Sequence, residues 1–349
     1  MDDIYSHIQN RGEIPLDEYM SLCNQAYYST QKPFGVQGDF ITAPEISQMF
    51  GEVIAAWIVD NLMQMDALDH FTLLECGPGR GTLMKDIVRI INSINDLKGN
   101  FKVIFLENSE YLRTIQKDAL KGHDVAWIED IHSPILKDIH TPVFVIANEF
   151  LDALPIKQYI FQDDHWYERC VKVIPNNSLS YSLKPQMDSI EINQKPMEGS
   201  IYEVSPAIDD FMYKISELLE EKKGGALFVD YGYAHTTFGD TFQAVKNHQY
   251  ADPLQKPGEQ DLTAHVNFER LRTLAIEKGL QSHGPVTQGH FLQQCGILQR
   301  TEILKQKASE EQKKDIDSDL NRLVSKNEMG QLFKVFAMIT GDYKPAGFE

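Results

Sequence analysis

Two stretches of the chain place chemistry-bearing residues directly after apolar runs. In FTLLECGPGRGTL (71–83), the run Phe71, Leu73, Leu74 meets an acid, Glu75, and glycines then alternate at Gly77, Gly79 and Gly81. Such a turn brings bare backbone N–H groups and a helix N-terminus against a ligand with no Cβ atoms in the way. The spacing G-x-G-x-G differs from the G-x-G-x-x-G of dinucleotide binders. An acid just before the glycines is also a poor neighbour for a phosphate. The pattern points to a ligand with a cationic centre and no phosphate. S-adenosylmethionine, with its ammonium and sulfonium, fits that description; the plainer alternative is a glycine-rich connector. In PVFVIANEFLDALP (142–155), Asn148, Glu149 and Asp152 stand where the chain leaves an apolar run. Two carboxylates there could hold a cationic nucleophile. A cap and first-turn acids of a short helix would explain Asn148 and Asp152 but leave Glu149 without a stated need.

The elements that must position these residues alternate between strand and helix. Beyond the glycines, Leu83, Ile87, Ile90, Ile91 and Ile94 recur at helical spacing. Phe101–Leu106 reads as a second buried strand ending in Glu107, where the ribose of a nucleotide-like ligand is usually held. Val125 and Trp127 precede Glu129 and Asp130, and an acid at that point either reaches an adenine amino group or closes a solvated turn. Pro142–Ala147 forms a fourth strand, Gly224–Tyr233 another with Asp230 and Tyr231 at its end, and QLFKVFAMIT closes the chain. In open α/β sheets the carboxyl ends of the strands form the ligand crevice. Before the glycines, helices are expected over Pro15–Tyr28 and Pro44–Met65, the second with Thr42 as cap, Pro44 in its first turn and Glu45 at its positive end. The intervening QKPFGVQGDFITAPEIS is long for a connector, so it reads as a binding element or a helix-entry turn. From Ile156 to Val204 short alternating stretches suggest a β-meander. DTFQAVKNHQYADPLQKPGEQDLTAHVNF shows little periodicity, and its aromatic content argues for a functional loop. Helices are expected over Asn267–Gly279, Thr287–Cys295 and two further segments through Asn327.

The bulk properties exclude several classes. A chain of 349 residues with 42% hydrophobic and 24% charged residues suits one large globular domain with insertions, or two domains. A formal net charge of −18 argues against nucleic-acid or anionic-membrane binding. Four scattered cysteines without a C-x-x-C pair and eleven histidines without H-E-x-x-H leave no expected disulfide framework or metal. The acidic N-terminus lacks a signal core, and the longest strongly apolar run, Val53–Val59, is too short to span a bilayer. The expected location is the cytoplasm, or the mitochondrial matrix for a mature organellar form.

GDFITAPEISQMFGE (38–52), ECGPGRGTL, ANEFLDALP (147–155) and PGEQDLTAHVNF (257–268) together resemble the MidA-like family of class I methyltransferases. That family includes the mitochondrial complex I assembly-factor arginine methyltransferase and bacterial relatives. The likeness runs nearly end to end, through YEVSP, GGALFVDYGY, PVTQGHFL and GQLFKVFAMI. It implies an α/β fold: a Rossmann-like seven-stranded core (67–349), an N-terminal helical region (1–66), a β-rich insertion near 156–204 and a loop and helical insertion near 234–328. S-adenosylmethionine would lie over Gly77, Gly79 and Gly81, with Glu75, Glu107, Asp130 and Asn148 around it. The loop bearing Gly38, Asp39, Thr42 and Glu45 would close over it. The implied acceptor is an arginine of a protein, in the eukaryotic member a complex I subunit; a homodimer is left open. A different small-molecule or macromolecular acceptor, and a cofactor-binding assembly factor with little turnover, are the alternatives. Carboxylates that grip a guanidinium can localise its charge away from the attacking nitrogen and fix its aim. Glu149 and Asp152 are the expected grip, with Asn148 positioning. Asp39, Glu45 and Asp261 are second candidates, and His265 is a candidate proton acceptor. DTFQAV stands where the family usually has DTLQA, and Asn267-Phe268 where Asp-Phe is common.

Overall fold

The computed structural model describes residues 2–30, 42–186, 192, 194–246 and 249–349. Chain contacts divide it into two compact units. One comprises 1–40, 151–211 and 235–266, the other 41–150, 212–234 and 267–349. The N-terminal helical region expected over 1–66 is shared between the two units. The helix Gln48–Gln64 buries Phe50, Ile54, Trp57, Ile58 and Leu62 in the core of the second unit, because its apolar residues run nearly all round.

The second unit is built on β1 (Phe71–Cys76), β2 (Phe101–Leu106), β3 (Val125–Ile128), β4 (Val143–Asn148), β5 (Gly224–Tyr233), β6 (Gln281–Thr287) and β7 (Phe333–Ile339). Their order across the sheet is β6-β7-β5-β4-β1-β2-β3, with an eighth, two-residue strand (Val266–Asn267) off this path. Neighbours from β5 to β3 are parallel; β7 runs antiparallel to both β5 and β6. The expected seven-stranded core is therefore present. β1 and β4 are buried at every position, as befits strands of a parallel sheet covered on both faces. From β1 the chain builds outward through β2 and β3; from β4 it builds the other way. The topological switch point thus lies between β1 and β4, and a crevice forms outside their carboxyl ends.

Several local expectations are corrected. The single helix expected over Pro44–Met65 is two, Ala43–Ile46 and Gln48–Gln64. Ser47 between them is extended, its hydroxyl accepting from the Met49 N–H at 3.4 Å as a cap. β6 (QSHGPVT) had no strand signal: it is a half-exposed edge strand whose register shifts between His283 and Val286, where Gly-Pro interrupts the ladder.

In the first unit, Pro15 ends a short strand, Glu13–Pro15, and the helix runs from Leu16 to Thr30. That strand joins Lys157–Gln162, His165–Ile174, Ser178–Pro185 and Ile201–Val204 in a five-stranded sheet. The loop expected beyond residue 240 contains a three-stranded antiparallel sheet of Gln243–Lys246, Gln249–Ala251 and Asp261–Thr263. Strands of three or four residues are too short to register as an alternating pattern. Ile8, Ile14, Tyr19, Met20, Val171 and Leu262 close the core of this unit.

Candidate active site

The turn after β1 carries Gly77, Gly79 and Gly81 at φ of 65°, 52° and 78°, the left-handed region in which a Cβ is disfavoured. A Cβ on Gly77 would also meet the Phe150 ring at 2.7 Å. Gly81 is the N-cap of the helix Thr82–Ile91, and no side chain caps it. The positive end of this helix is thus aimed at the switch point. Glu75, within β1, is 3% exposed and Oε2 has no partner among the described residues. Burial and the nearby charge of Glu107 push its carboxyl well above the usual range, against a backbone hydrogen bond from Met84 that lowers it.

Glu107 leaves β2 with both oxygens engaged: Ser109 N–H donates to Oε1 at 2.8 Å and Gln116 Nε2 to Oε2 at 3.0 Å. Burial raises its carboxyl too, and these donors pull it down. Glu75 and Glu107 thus form a buried acidic pair beside the glycines. A cationic ligand would relieve both. The residues present fit S-adenosylmethionine on three counts: the cleared backbone cradle, the orphaned acid oxygen and the second acid at the end of β2.

Glu45 is drawn to the same turn, accepting from Thr82 Oγ1 at 2.8 Å and lying 3.6 Å from Arg80 Nη1. Thr42 caps the short helix Ala43–Ile46 through its backbone, without a side-chain bond. Gly38 and Asp39 lie outside the described residues. Asp130 is exposed. Its carboxylate accepts from the His132 N–H at 2.7 Å and pairs with Lys214 at 3.4 Å, and the His132 bond is the main reason its carboxyl is lowered. The turn thus engages Oδ1 and Lys214 engages Oδ2.

Across the switch point, Glu149 follows β4 at φ 50°, a conformation that a non-glycine residue adopts at a cost of roughly 1–2 kcal/mol. Its N–H donates to Val229 O at 2.9 Å, and the next N–H, of Phe150, donates to Asp230 Oδ2 at 3.2 Å. Its Oε1 accepts from Ala43 N at 3.3 Å and from Asn148 Nδ2 at 3.2 Å. Asn148 is buried, with Oδ1 lacking a partner among the described residues. These residues, Glu45 and the glycine turn come together in one unit.

Asp152, Asp261 and His265 belong to the other unit. There the Asp152 carbonyl accepts from Ala264 N at 3.0 Å, and Tyr28 OH donates to Asp261 Oδ1 at 2.9 Å. Burial, then the charges of Asp261 and Asp152, hold that phenol far above its ordinary value. The backbone N–H of the half-buried His265 donates to Thr241 Oγ1 at 2.9 Å. Asn267, where the family resemblance has an acid, caps the helix Phe268–Glu277 by accepting from Arg270 N at 3.2 Å. Asparagine and aspartate do that equally well, so the exchange is neutral. Among the described residues no cluster of three or more His, Cys, Asp or Glu is arranged to hold a metal.

Sequence reasoning passed over Gln116 and Asp230. Gln116 sits in the middle of a helix, where glutamine is ordinary and usually solvated; Asp230 stands in the sequence only as a strand end.

A crystal structure from Burkholderia thailandensis bound to S-adenosyl-homocysteine superposes with a TM-score of 0.84 at 24% identity, covering 99% of this chain and 93% of that one. A second structure from that organism reaches 0.81 at 26% identity, covering 99% and 92%. Fold and strand order are those of the class I methyltransferase core. The family model Methyltransf_28, of S-adenosyl-L-methionine-dependent methyltransferases, matches residues 53–286. The protein arginine methyltransferase NDUFAF7 homolog, mitochondrial, of Drosophila melanogaster is 33% identical over 368 residues, 96% of this chain and 83% of its own. Human protein arginine methyltransferase NDUFAF7, mitochondrial, is 32% identical over 360 residues, 95% and 81%. The chain belongs to this family and is an S-adenosylmethionine-dependent methyltransferase.

Proposed function

We propose that the chain transfers methyl groups to an arginine of a protein substrate, with the cofactor over the glycine turn and the guanidinium held at Glu149. The observation that carries this reading is the pairing across the switch point of a glycine cradle with a strained, hydrogen-bonded glutamate. The names of relatives similar over 95–96% of the chain support the acceptor class. A subunit of respiratory complex I is the acceptor we favour. Four free cysteines, none paired, support a reducing compartment, the bacterial cytoplasm or the mitochondrial matrix.

Gly77, Gly79, Gly81, Glu75 and Glu107 would hold the cofactor, with Glu45 securing the turn through Thr82. Bound S-adenosylmethionine supplies an electrophilic methyl on a sulfonium. Glu149, already partly neutralised by the Ala43 and Asn148 donors, accepts guanidinium N–H bonds and aims one nitrogen. A carboxylate in that place draws positive charge toward itself and leaves the attacking nitrogen richer in electrons; on taking the methyl that nitrogen would release one N–H proton to water, and the C–S bonding pair would leave with S-adenosyl-homocysteine. Asn148 fixes the carboxylate's rotamer. The proposal is built on Glu149; Asp152 belongs to the other unit, and Asp130 is engaged by the His132 N–H and Lys214.

The test is transfer of labelled methyl from S-adenosylmethionine to cell extract, followed by mass spectrometry of the labelled species. Label on a protein arginine is expected. Label on a small molecule, on nucleic acid or on another side chain would overturn the acceptor class while leaving the cofactor site intact.

A further inference from the structure

Gln116 lies in the helix Glu110–Ala119 with none of its surface exposed. An amphipathic helix would ordinarily present an apolar residue at such a position, and a buried amide is tolerated only when its hydrogen bonds are made. Two of its three side-chain bonds run to the glycine turn and to the acid that follows β2. Nε2 donates to Gly79 O at 2.8 Å and to Glu107 Oε2 at 3.0 Å, using both protons. Oε1 accepts from Trp127 Nε1 at 2.8 Å. The amide can sit only one way round. The carbonyl and the carboxylate only accept, and the indole N–H only donates.

The consequence is a three-part relay. Trp127, in β3, fixes the amide; the amide clamps the glycine turn to the acid at the end of β2. Without those two protons, the Gly79 carbonyl and the Glu107 carboxylate would face each other as bare acceptors and move apart. Glu107 would also lose one of the donors that favour its charged form. We propose that Gln116, aimed by Trp127, is a positioning residue for the cofactor. It sets the spacing between the glycine turn and Glu107 and turns that carboxylate to the ribose hydroxyls. The proposal rests on Glu107 being the ribose acid.

The experiment is calorimetric binding, to the full chain, of S-adenosyl-homocysteine and of its analogue lacking both ribose hydroxyls. Gln116→Met keeps the volume and removes all three bonds; Gln116→Glu keeps the acceptor for Trp127 and leaves at most one of the two donors; Trp127→Phe removes only the aiming bond. The native chain should prefer the hydroxylated ligand. Gln116→Met and Gln116→Glu should each weaken that ligand by about tenfold or more, the size of a charge-assisted hydrogen bond. They should change the analogue by no more than about twofold, the usual limit for uncoupled changes. Trp127→Phe should act in the same direction and less strongly. Equal losses on both ligands would mean that Gln116 only supports the fold, and would overturn the proposal. A native chain indifferent to the hydroxyls would instead overturn the reading of Glu107, and the positioning role with it. Should Gln116→Met not fold, Gln116→Glu and Trp127→Phe decide the matter in the same assay.

Discussion

After β1 the chain turns through glycines at φ of 65°, 52° and 78°; after β4 it turns through a glutamate at 50°. Both turns stand at the switch point, and both use the left-handed region. The glycine turn reaches that region without a steric penalty, and what it offers a ligand is backbone. The Glu149 turn pays roughly 1–2 kcal/mol for its Cβ, offset by bonds to Val229, Ala43 and Asn148 and by the Asp230 bond to the following N–H. A fold tolerates such strain where a side chain is required at that point. The cofactor side is thus made of absent side chains, and the acceptor side of one that is present at a cost.

If that contrast is right, exchanging the two solutions should damage the molecule in different ways. Gly77→Ala carries the largest expected effect. Its Cβ meets the Phe150 ring at 2.7 Å in a left-handed conformation, so stability should fall by about 2–4 kcal/mol in denaturant titration. Binding of S-adenosyl-homocysteine should be lost. An unperturbed affinity would mean that the turn is a mere connector. Glu149→Gly should do the reverse: relief of the φ penalty balances the lost hydrogen bonds, so stability should change by no more than about 1 kcal/mol. A substantial loss of stability would show that Glu149 is a structural clamp.

Glu75→Gln separates charge from shape within the cofactor side. The folded carboxyl is raised above its ordinary 4.5, so between that pH and the raised value the folded state binds more protons than the unfolded one. Stability contributed by the protonated group is full below pH 4.5 and is lost as pH rises through the folded value. The glutamine variant should lack that loss and melt higher than the native chain at pH 8. Native affinity for S-adenosylmethionine should tighten over the same pH rise as the acid ionises, whereas that of the variant should not. A variant with the native pH dependence would remove Glu75 from the site.

The parts legible in the sequence share a cause. β1, β2, β4, β5 and β7 are apolar runs bounded by turn residues, and the glycine turn is a local pattern, so both announce themselves within a dozen residues. β6 did not, because QSHGPVT is an edge strand with a proline and little apolar content. Ser47, which splits the helix expected over Pro44–Met65, looks like any polar helical residue until its extended backbone is seen. Gln116 was illegible for a different reason. Its meaning lies in three partners, 37, 9 and 11 positions away, that only the folded sheet brings together. Glu149 lacks a local explanation in the sequence, and its carboxylate is met by an N–H 106 residues away.

The most direct test of the division between the two turns is Glu149→Gln, followed by two readings on the same preparation. These are calorimetric binding of S-adenosyl-homocysteine and the rate of labelled-methyl transfer to protein. The amide keeps the size of the side chain and loses its charge. Binding should stay within about twofold of the native value, and transfer should fall by about 100-fold or more, as expected when a positioning charge is removed. Transfer at the native rate, or a loss of cofactor affinity that matches the loss of transfer, would contradict the assignment of the acceptor to Glu149.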